Sequence, residues 1–298
     1  MKRTLSSISV ALVTRNRPES LARALRSWRR QSVQPFEIVI SDDSDEQMRP
    51  EIQRIASDFS ARWIKGPRRG LYANRNHVAS HCRGTHVLSA DDDHEHPIDF
   101  LGKCHAALEE DPNSVWCVGE VIYWEPVPVG WAIPGELHLN GIPCVPRDRA
   151  NSSAWSDGAT ICPKRVFDSG LCFSEAFRFG ASYLEFGCLL HAAGQRIREL
   201  ESTAVIHHSL DAARSYDIPV EECASTYFAV LMLGCVYKRG WKQWLLTCWY
   251  FVKQLLRRPL AFWRPARWAL REKQNRAEWF RRWASTRREL IGKEILQT

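Results

Sequence analysis

The chain has 298 residues, of which 45% are hydrophobic and 25% charged, with 16 glycines and 15 prolines. These values are typical of globular proteins and exclude a largely disordered, collagen-like or low-complexity chain. The net charge of +7 is unevenly distributed, because residues 231–298 have a net charge of +12 and residues 1–230 have a net charge of −5. Seven of the 13 tryptophans also lie in the basic part, so the two parts need separate interpretations.

The ten cysteines form no Cys-x-x-Cys pair, and residues 1–9 contain no apolar core of a secretion signal. We therefore expect reduced thiols in a cytoplasmic protein, with neither a disulfide framework nor a structural zinc site. The longest apolar run, residues 227–237, is shorter than the about 20 residues that a membrane-spanning helix needs. The sequence thus predicts no transmembrane segment.

Strands and helices alternate along the acidic part of the chain. Apolar, β-branched runs predict strands at residues 8–14, 36–41, 63–64, 85–90 and 115–124. Helical periodicity predicts a helix through Leu21, Leu25 and Trp28, and helices over residues 70–82 and 97–110. Residues 125–155, rich in proline, glycine and tryptophan, are predicted to form a long ordered loop. This order predicts an α/β fold with a mostly parallel sheet.

Charged residues follow three of these strands directly. They are Arg15-Asn16-Arg17, Asp42-Asp43 and Asp91-Asp92-Asp93. Ligands of open α/β sheets bind at the carboxyl ends of the strands. Carboxylates gathered there repel one another unless a cation or a donor-rich ligand lies among them, and oxygen ligands suit Mg²⁺ or Mn²⁺. The alternative interpretation is a solvated acidic loop or a set of helix caps.

Four segments in this order resemble a family 2 glycosyltransferase of the GT-A fold, which transfers sugar from a nucleotide donor. They are ISVALVTRNRPES, FEIVISDDSDE, GLYANRN and THVLSADDDHEHP. They cover residues 8–97, and the resemblance continues more weakly to about residue 208. It implies a Rossmann-like, mostly parallel central sheet flanked by helices. The implied catalytic domain spans residues 1–222, with a nucleotide-binding part at 1–124 and an acceptor part at 125–222.

The resemblance also implies the residues of the donor site. Thr14, Asn16 and Arg17 would line the nucleotide pocket. Asp43, or Asp42 beside it, would accept the ring N–H of a pyrimidine, which favours a UDP-sugar. Arg75 would face the diphosphate.

A metal site is implied by the three consecutive aspartates. The Asp-x-Asp spacing of the family falls on Asp91 and Asp93, with Asp93 as the direct ligand of Mg²⁺ or Mn²⁺. Asp92 allows a register shifted by one residue, and Asp91 and Asp92 would both lie beside the nucleotide-sugar. Of His207 and His208, one would complete the metal site, because side chains alternate along a strand.

The sequence departs from the family at the catalytic base, since the Glu-Asp pair of the family falls on Ser182-Tyr183. Glu185 is the remaining carboxylate of that stretch and is therefore the candidate base, in the first turn of a helix whose dipole favours its charged form. Asp157, which is unusual in its segment and would contact one of the two sugars, is the second candidate. A first-turn glutamate without catalytic role is the alternative interpretation of Glu185.

Residues 223–298 are predicted to form a basic, tryptophan-rich helical tail. An amphipathic helix begins near residue 241, and Pro259 ends or kinks it. Its apolar face comprises Trp241, Trp244, Leu245, Cys248, Trp249, Val252, Leu255 and Leu256. Its polar face comprises Gln243, Thr247, Tyr250, Gln254 and Arg257. A second stretch at residues 260–283 combines further tryptophans with many cations.

Such a tail favours attachment to an anionic membrane surface. One alternative is a helical lid on the catalytic domain, stabilised by stacking of arginine on tryptophan. Nucleic acid is disfavoured as a partner, because the rest of the chain is acidic and has no nucleic-acid-binding signature.

The sequence thus predicts an inverting glycosyltransferase on the cytoplasmic face of a membrane. Its expected partners are a nucleoside-diphosphate sugar and a lipid-linked or glycan acceptor, as in the synthesis of bacterial-type surface polysaccharide or glycolipid. The alternative to an active transferase is a protein of a different functional class, a catalytically weak sugar-nucleotide-binding or scaffolding protein.

Overall fold

A computed structural model describes residues 6–124, 127–208 and 218–295, and all side chains in these ranges except those of 124 and 288–295. The strands are β1 (Ile8–Thr14), β2 (Glu37–Asp42), β3 (Arg62–Lys65), β4 (His86–Asp91), β5 (His94–Glu95), β6 (Val115–Trp124), β7 (Val127–Ala132), β8 (Glu136–Leu137), β9 (Pro143–Cys144), β10 (Thr160–Pro163) and β11 (Ile197–His208). The helices are α1 (Pro18–Arg29), α2 (Arg49–Asp58), α3 (Leu71–His81), α4 (Phe100–Glu110), α5 (Lys164–Asp168), α6 (Ser182–Ala192), α7 (Pro219–Met232), α8 (Trp241–Arg257) and α9 (Pro259–Ile295).

The main sheet has the strand order β3-β2-β1-β4-β10-β6-β11-β5, with β7 paired to β6. Strands β3, β2, β1 and β4 are parallel, and β10 is antiparallel to both β4 and β6. The predicted α/β fold is therefore confirmed. The predicted mostly parallel arrangement holds for β3, β2, β1 and β4, whereas the sheet as a whole is mixed. Because β10 runs in the opposite direction, the residues that precede it lie at the same edge as the carboxyl ends of β1, β2 and β4.

The core beneath this edge follows from the sequence pattern. Every residue of β1 is buried, and β1 packs in a cluster with Leu21, Leu25 and Trp28 of α1. Apolar burial of this extent is the main stabilising contribution to such a fold. Helices α2 and α5 and strands β5 and β10 were not predicted, nor were strands β7–β9, which lie in the segment expected to be a long loop. Their segments are short or polar, so that pairing and packing with distant residues decide their structure.

The C-terminal helices pack on the rest of the chain. Helix α7 continues into a π-helical turn, Leu233–Tyr237, and contributes to an apolar cluster with α6, α8 and α9. The expected domain boundary at residues 222 and 223 falls within α7, and α7 packs in the same apolar cluster as α6, α8 and α9. Pro259 separates α8 from α9, as the sequence predicts.

The segment Pro219–Tyr237 has the length and composition that a membrane span requires, with a mean hydropathy of 1.2. However, 67% of its most apolar window is buried inside the protein, as is usual for a core helix. The run of 227–237 is extended to this length by the less apolar residues 219–226. All ten cysteines are free.

Candidate functional site

The carboxyl edge of the sheet forms one wall of a cavity of about 730 Å³. Charged residues of β4, β6 and β11 line it, with Arg15 and Arg17 from the loop after β1 and apolar residues of β7 and the segment after it. The predicted site residues that line it are Thr14, Arg17, Asp43, Asp91, Asp92, Asp93, Asp157 and His207. The register explains this grouping, because Thr14 pairs with Asp42 on one side of β1 and Val13 pairs with Asp91 on the other.

Three side chains meet at one end of the cavity in a geometry that fits a metal ion. One ligand atom each from Asp93, His94 and His207 lies within 4.8 Å of the others. The two histidines are cross-strand neighbours, since β5 pairs with β11 and places His94 opposite His207. Their ring centroids are 4.7 Å apart. We call Asp93, His94 and His207 the metal-site cluster.

The outer nitrogens of both histidines are already occupied. His94 Nδ1 donates to the carbonyl oxygen of Gly158 at 3.2 Å, and His207 Nδ1 is 3.1 Å from a carboxylate oxygen of Glu120. The inner nitrogens lie near Asp93, with His94 Nε2 at 3.9 Å and His207 Nε2 at 3.8 Å from its oxygens. Metal-binding histidines typically have this arrangement, in which the second nitrogen is fixed by a carbonyl or carboxylate. The donor set therefore fits a divalent ion.

The pKa values of His207 and Glu120 show how strongly these two side chains interact. Burial disfavours the charged imidazole, but the hydrogen bond to Glu120 and the charge of Asp93 outweigh it and raise the pKa of His207 to about 9. Burial likewise opposes ionisation of Glu120, yet its hydrogen bond with His207 lowers the pKa of Glu120 to about 2. Glu120 is therefore an anion that orients His207.

The three consecutive aspartates have three different surroundings. Asp92 accepts a hydrogen bond from Thr14 Oγ1 at 2.7 Å and one from Arg17 at 3.2 Å. Burial and the neighbouring charge of Asp93 raise the pKa of Asp92 to about 7. Asp93 accepts from Arg17 at 3.0 Å and faces the metal-site cluster. Asp91 contacts Arg75 and is not part of the metal-site cluster. Of the two predicted aspartate ligands, only Asp93 therefore belongs to this cluster.

Asp91 belongs to an ion-pair network beneath the cavity. Arg75 donates to both oxygens of Asp91 at 2.8 Å and to Ser89 at 2.8 Å, and its Nε lies 2.9 Å from Asp157. Arg75 is buried and does not line the cavity, in contrast to the expected role at a diphosphate. It instead fixes two carboxylates that do line the cavity, Asp91 and Asp157.

Asp157 is held against this network by the backbone that follows it. A Cβ on Gly158 would lie 2.4 Å from Asp91 and 2.6 Å from His94, so a glycine is needed for this close approach. Burial raises the pKa of Asp157 to about 6, although the charge of Arg75 lowers it. Near neutral pH the residue is mainly ionised, and it faces the cavity.

The far end of the cavity offers hydrogen-bond acceptors. Asp43 accepts from the backbone N–H of Arg68 at 2.8 Å, and burial raises its pKa. Asn74 is also buried, and its Oδ1 has no hydrogen-bond partner among the described residues. Both oxygens lie next to Gly66, where a Cβ would be 2.2 Å from Asp43 and 2.8 Å from Asn74. This end therefore suits a ligand with N–H groups.

Glu185 does not line the cavity. Its side chain is 0% exposed and receives hydrogen bonds from Arg276 at 3.0 and 3.1 Å and from the hydroxyl of Tyr237. Arg276 also donates to the carbonyl oxygen of Cys172 at 2.6 Å. Glu185, Arg276 and Tyr237 thus connect α6 with the C-terminal helices, and we call them the tail-anchor cluster. This placement does not favour Glu185 as the base.

Three further predicted residues lie outside the cavity lining. Asp42 accepts from Trp63 Nε1 at 3.1 Å and from the backbone of Ser44. Asn16 is exposed and bonds Asp45. His208 faces away from His207, as strand alternation predicts, and its Nε2 is 3.2 Å from Glu95.

His94, Glu120 and Asn74 line the cavity but were not predicted from the sequence. His94 directly follows the three aspartates, so its position was the available signal. Glu120 lies within a predicted strand, and only the parallel pairing of β6 with β11 brings it to His207. Nothing in the local pattern distinguishes Asn74 from a helix surface residue.

Comparison with known proteins gives the family. Residues 9–162, more than half of the chain, match Glycosyl transferase family 2. The chain belongs to this family. The predicted glycosyltransferase is thereby confirmed, and a nucleotide-sugar is its donor class. No curated protein matches the chain.

Solved structures share the fold at low sequence identity. Residues 1–349 of S. aureus TarS in complex with UDP-GlcNAc align with a TM-score of 0.62 and 16% identity, over 86% of this chain and 75% of that one. GalNAc-T7 with UDP, GalNAc and Mn²⁺ aligns with a TM-score of 0.63 and 15% identity, over 79% of this chain and 49% of that one. A longer TarS structure is covered to only 43% of its length. These similarities confirm the GT-A fold.

Proposed function

We propose that this family 2 glycosyltransferase moves a sugar from a UDP-sugar to the hydroxyl of a lipid-linked acceptor, with inversion at the anomeric carbon. The observation that carries the donor assignment is one cavity with two different ends. Acceptors for a base lie at Asp43, directly after β2, and at Asn74, whereas His94 and His207 of the metal-site cluster lie on β5 and β11, on the other side of the strand order. A nucleoside diphosphate has the matching order of groups, from base to diphosphate.

The donor assignment is supported by hydrogen-bonding chemistry. A uracil ring N–H is a donor, which the carboxylate of Asp43 accepts. Arg17 lies at the opposite end and already contacts Asp92 and Asp93. Its cation would help to compensate the negative charge of a diphosphate. The UDP and UDP-GlcNAc of the TarS structures agree with this class of donor.

The metal-site cluster would hold a divalent ion through Asp93, His94 and His207. Imidazole nitrogen is a softer ligand than oxygen, so this set favours Mn²⁺ over Mg²⁺. The Mn²⁺ in the GalNAc-T7 structure is consistent with this choice. A bound divalent ion supplies positive charge that stabilises a leaving diphosphate.

Asp157 is our candidate for the base, since it lines the cavity and is held in place by Arg75. It would take the proton of the acceptor hydroxyl while that oxygen forms a bond to the anomeric carbon. The bond from that carbon to the diphosphate oxygen breaks, and the electron pair leaves with UDP. One such displacement inverts the anomeric carbon and needs no covalent enzyme intermediate.

A lipid-linked acceptor is supported by the apolar wall of the cavity. Trp131 and Val145 line this wall, and each is more than half exposed. Apolar surface of this kind suits the hydrophobic part of an amphiphile. Together with the basic tail, it supports a role at the cytoplasmic face of a membrane, in the synthesis of surface polysaccharide or glycolipid.

The second candidate function is a catalytically weak protein that binds a sugar nucleotide as a scaffold. One observation favours it: the family's Glu-Asp pair is replaced by Ser182-Tyr183, and Glu185 is engaged by Arg276. Both candidates bind the donor, but only the enzyme turns it over.

Calorimetric titration with UDP and UDP-GlcNAc, with and without Mn²⁺, tests the proposal. We expect Mn²⁺-dependent binding, which Asp93→Ala should weaken at least about 100-fold, because it removes the carboxylate of the metal site. Asp99→Ala is the matched control, since Asp99 is an exposed aspartate paired with Lys103. Absence of UDP binding by the wild-type chain would contradict the proposal. Donor binding without hydrolysis or transfer to any acceptor would favour the scaffold.

A further inference from the structure

Helix α8 is amphipathic, and its apolar side faces away from the protein. Its inward residues include Gln243, Thr247, Tyr250 and Gln254, the polar face predicted from the sequence. Its large outward residues are Trp241, Trp244, Leu245, Leu246, Trp249, Val252 and Leu256, all exposed. A helix on a soluble protein normally buries its apolar side. We call the exposed residues of α8 the outer face.

The orientation of α8 is fixed by close contacts on its polar side. Thr247 packs directly on Gly234, where a Cβ would lie 1.9 Å from the hydroxyl oxygen of Thr247. Tyr250 packs on Gly141, where a Cβ would lie 2.7 Å from the phenol oxygen. Both contacts need glycine, at Gly234 and at Gly141. A rotation of α8 that buried the outer face would therefore break two tightly packed contacts.

The apolar surface continues beyond α8. Leu260 and Trp263, in the first turns of α9, are exposed as well, Leu260 to 98%. Together with the outer face they form an apolar patch of several large side chains. Isolated exposed apolar residues are common, but nine large ones on α8 and the first turns of α9 indicate a binding surface.

The charge around this patch determines which partner fits. Residues 223–271 contain nine Lys or Arg and neither Asp nor Glu. Lys242, Lys253, Arg257, Arg258 and Arg264 are all exposed beside the patch. Two copies of the chain would bring like charges together at such a surface. Anionic lipid headgroups above an acyl layer match both the cations and the tryptophans.

The patch is structurally linked to the cavity. The turn that joins β8 to β9 contains Gly141, which contacts α8, and this turn is followed by Pro143, Cys144 and Val145 in the cavity wall. Ile142, between them, is 60% exposed. Because Tyr250 contacts Gly141 from the inward side of α8, a surface bound to the outer face would lie one helix diameter, roughly 10 Å, from the apolar wall of the cavity.

We propose that the outer face of α8, with Leu260 and Trp263, inserts into an anionic lipid surface and holds the cavity wall beside it, so that an amphiphilic acceptor is taken directly from the bilayer. The choice of acceptor in this inference rests on the proposed function. The binding to lipid rests on α8 alone.

Vesicle cosedimentation of the full chain tests the inference, with phosphatidylcholine vesicles that contain or lack phosphatidylglycerol. We expect Trp244→Gln with Trp249→Gln to weaken partition into the anionic vesicles at least about tenfold, because two interfacial aromatic side chains are lost. The matched control is Phe36→Gln with Ile98→Gln, since these side chains are exposed to 58% and 64%, close to Trp244 and Trp249 at 56% and 60%, but lie on the catalytic part. Leu245→Gln with Leu256→Gln tests the same face if the tryptophan variant does not melt cooperatively.

Binding of UDP is measured on the same variants and should not change, which separates this inference from the donor assignment. Equal partition of the tryptophan and control variants would overturn the inference, as would absence of wild-type binding to anionic vesicles. A wild-type dimer in vesicle-free buffer that the tryptophan variant converts to a monomer would also overturn it, since the patch would then be an interface between copies.

Discussion

Two clusters of buried or partly buried side chains in this protein each contain one carboxylate, but the surroundings of that carboxylate differ. The metal-site cluster of Asp93, His94 and His207 directs unshared ligand atoms toward a cavity. The tail-anchor cluster of Glu185, Arg276 and Tyr237 has its carboxylate surrounded by protein donors. Buried charge with remaining binding capacity indicates a functional site, whereas a fully paired group indicates a structural contact. By the same criterion Asp157, which lines the cavity, is favoured as the base over Glu185, which was the first candidate from the sequence.

The largest expected effect comes from replacing Asp157, the candidate base in the cavity. Asp157→Asn should lower kcat by about 10²–10⁴, the usual contribution of a general base. Donor binding should remain, because Arg75 keeps its two bonds to Asp91 and the site stays in place. Transfer assays with donor titration measure both effects. Asp168→Asn, a change of an exposed aspartate paired with Lys164, is the control and should leave both constants unaltered.

The pH profile gives a second measurement on Asp157. Because burial raises its pKa to about 6, the base is protonated and inactive at lower pH. We expect kcat/KM to fall about tenfold per pH unit below 6 and to level off above it, whereas an ordinary aspartate would lose activity about two units lower. The residual activity of Asp157→Asn should lack this acidic limb. An unchanged profile in that variant would assign the base to another residue.

The tail-anchor cluster predicts an effect on folding and not on chemistry. Arg276→Gln should lower the free energy of unfolding by about 3–5 kcal/mol, because it leaves the carboxylate of Glu185 buried without its cation. Arg271→Gln changes an arginine of the same helix that is 80% exposed, and should cost less than about 0.5 kcal/mol. Chemical denaturation of both variants gives these values.

The double variant Glu185→Leu with Arg276→Met sharpens this test. Removal of both charges is expected to restore most of the lost stability, since apolar groups of similar size often replace a buried ion pair without loss. Transfer by the folded double variant should remain near the wild-type rate. A stable double variant without transfer would instead support Glu185 as the base, and the comparison between the two clusters would fail.

The sequence predicted those parts of the protein that local pattern determines. β1 has the predicted bounds, Ile8–Thr14, and so does β6, Val115–Trp124. The carboxyl edge could be inferred from charges that follow strands. The partners of Glu185 could not, because Arg276 lies 91 residues further along the chain.

The same limit applies to the metal-site cluster and to the tail. His94 reaches His207 through pairing of a two-residue strand, which no local signal predicts. The two faces of α8 were correctly identified from periodicity. Periodicity does not tell which face of a helix the protein buries. In α8 the polar face is buried, because Tyr250 and Thr247 pack tightly on Gly141 and Gly234, and the apolar face is exposed.

The smallest expected effect concerns the orientation of a ligand. Glu120→Gln keeps the size of the side chain but removes the charge that fixes His207, so Mn²⁺ affinity should fall about 10–100-fold. The matched control is Glu95→Gln, because Glu95 contacts His208 at 3.2 Å, the neighbouring pair that faces away from the cavity. Titration of Mn²⁺, followed by electron paramagnetic resonance, should therefore distinguish the two variants. Equal losses of Mn²⁺ affinity in both variants would mean that the contact between Glu120 and His207 has no special role in metal binding. A loss in Glu120→Gln alone would show that the carboxylate acts on the metal site through His207.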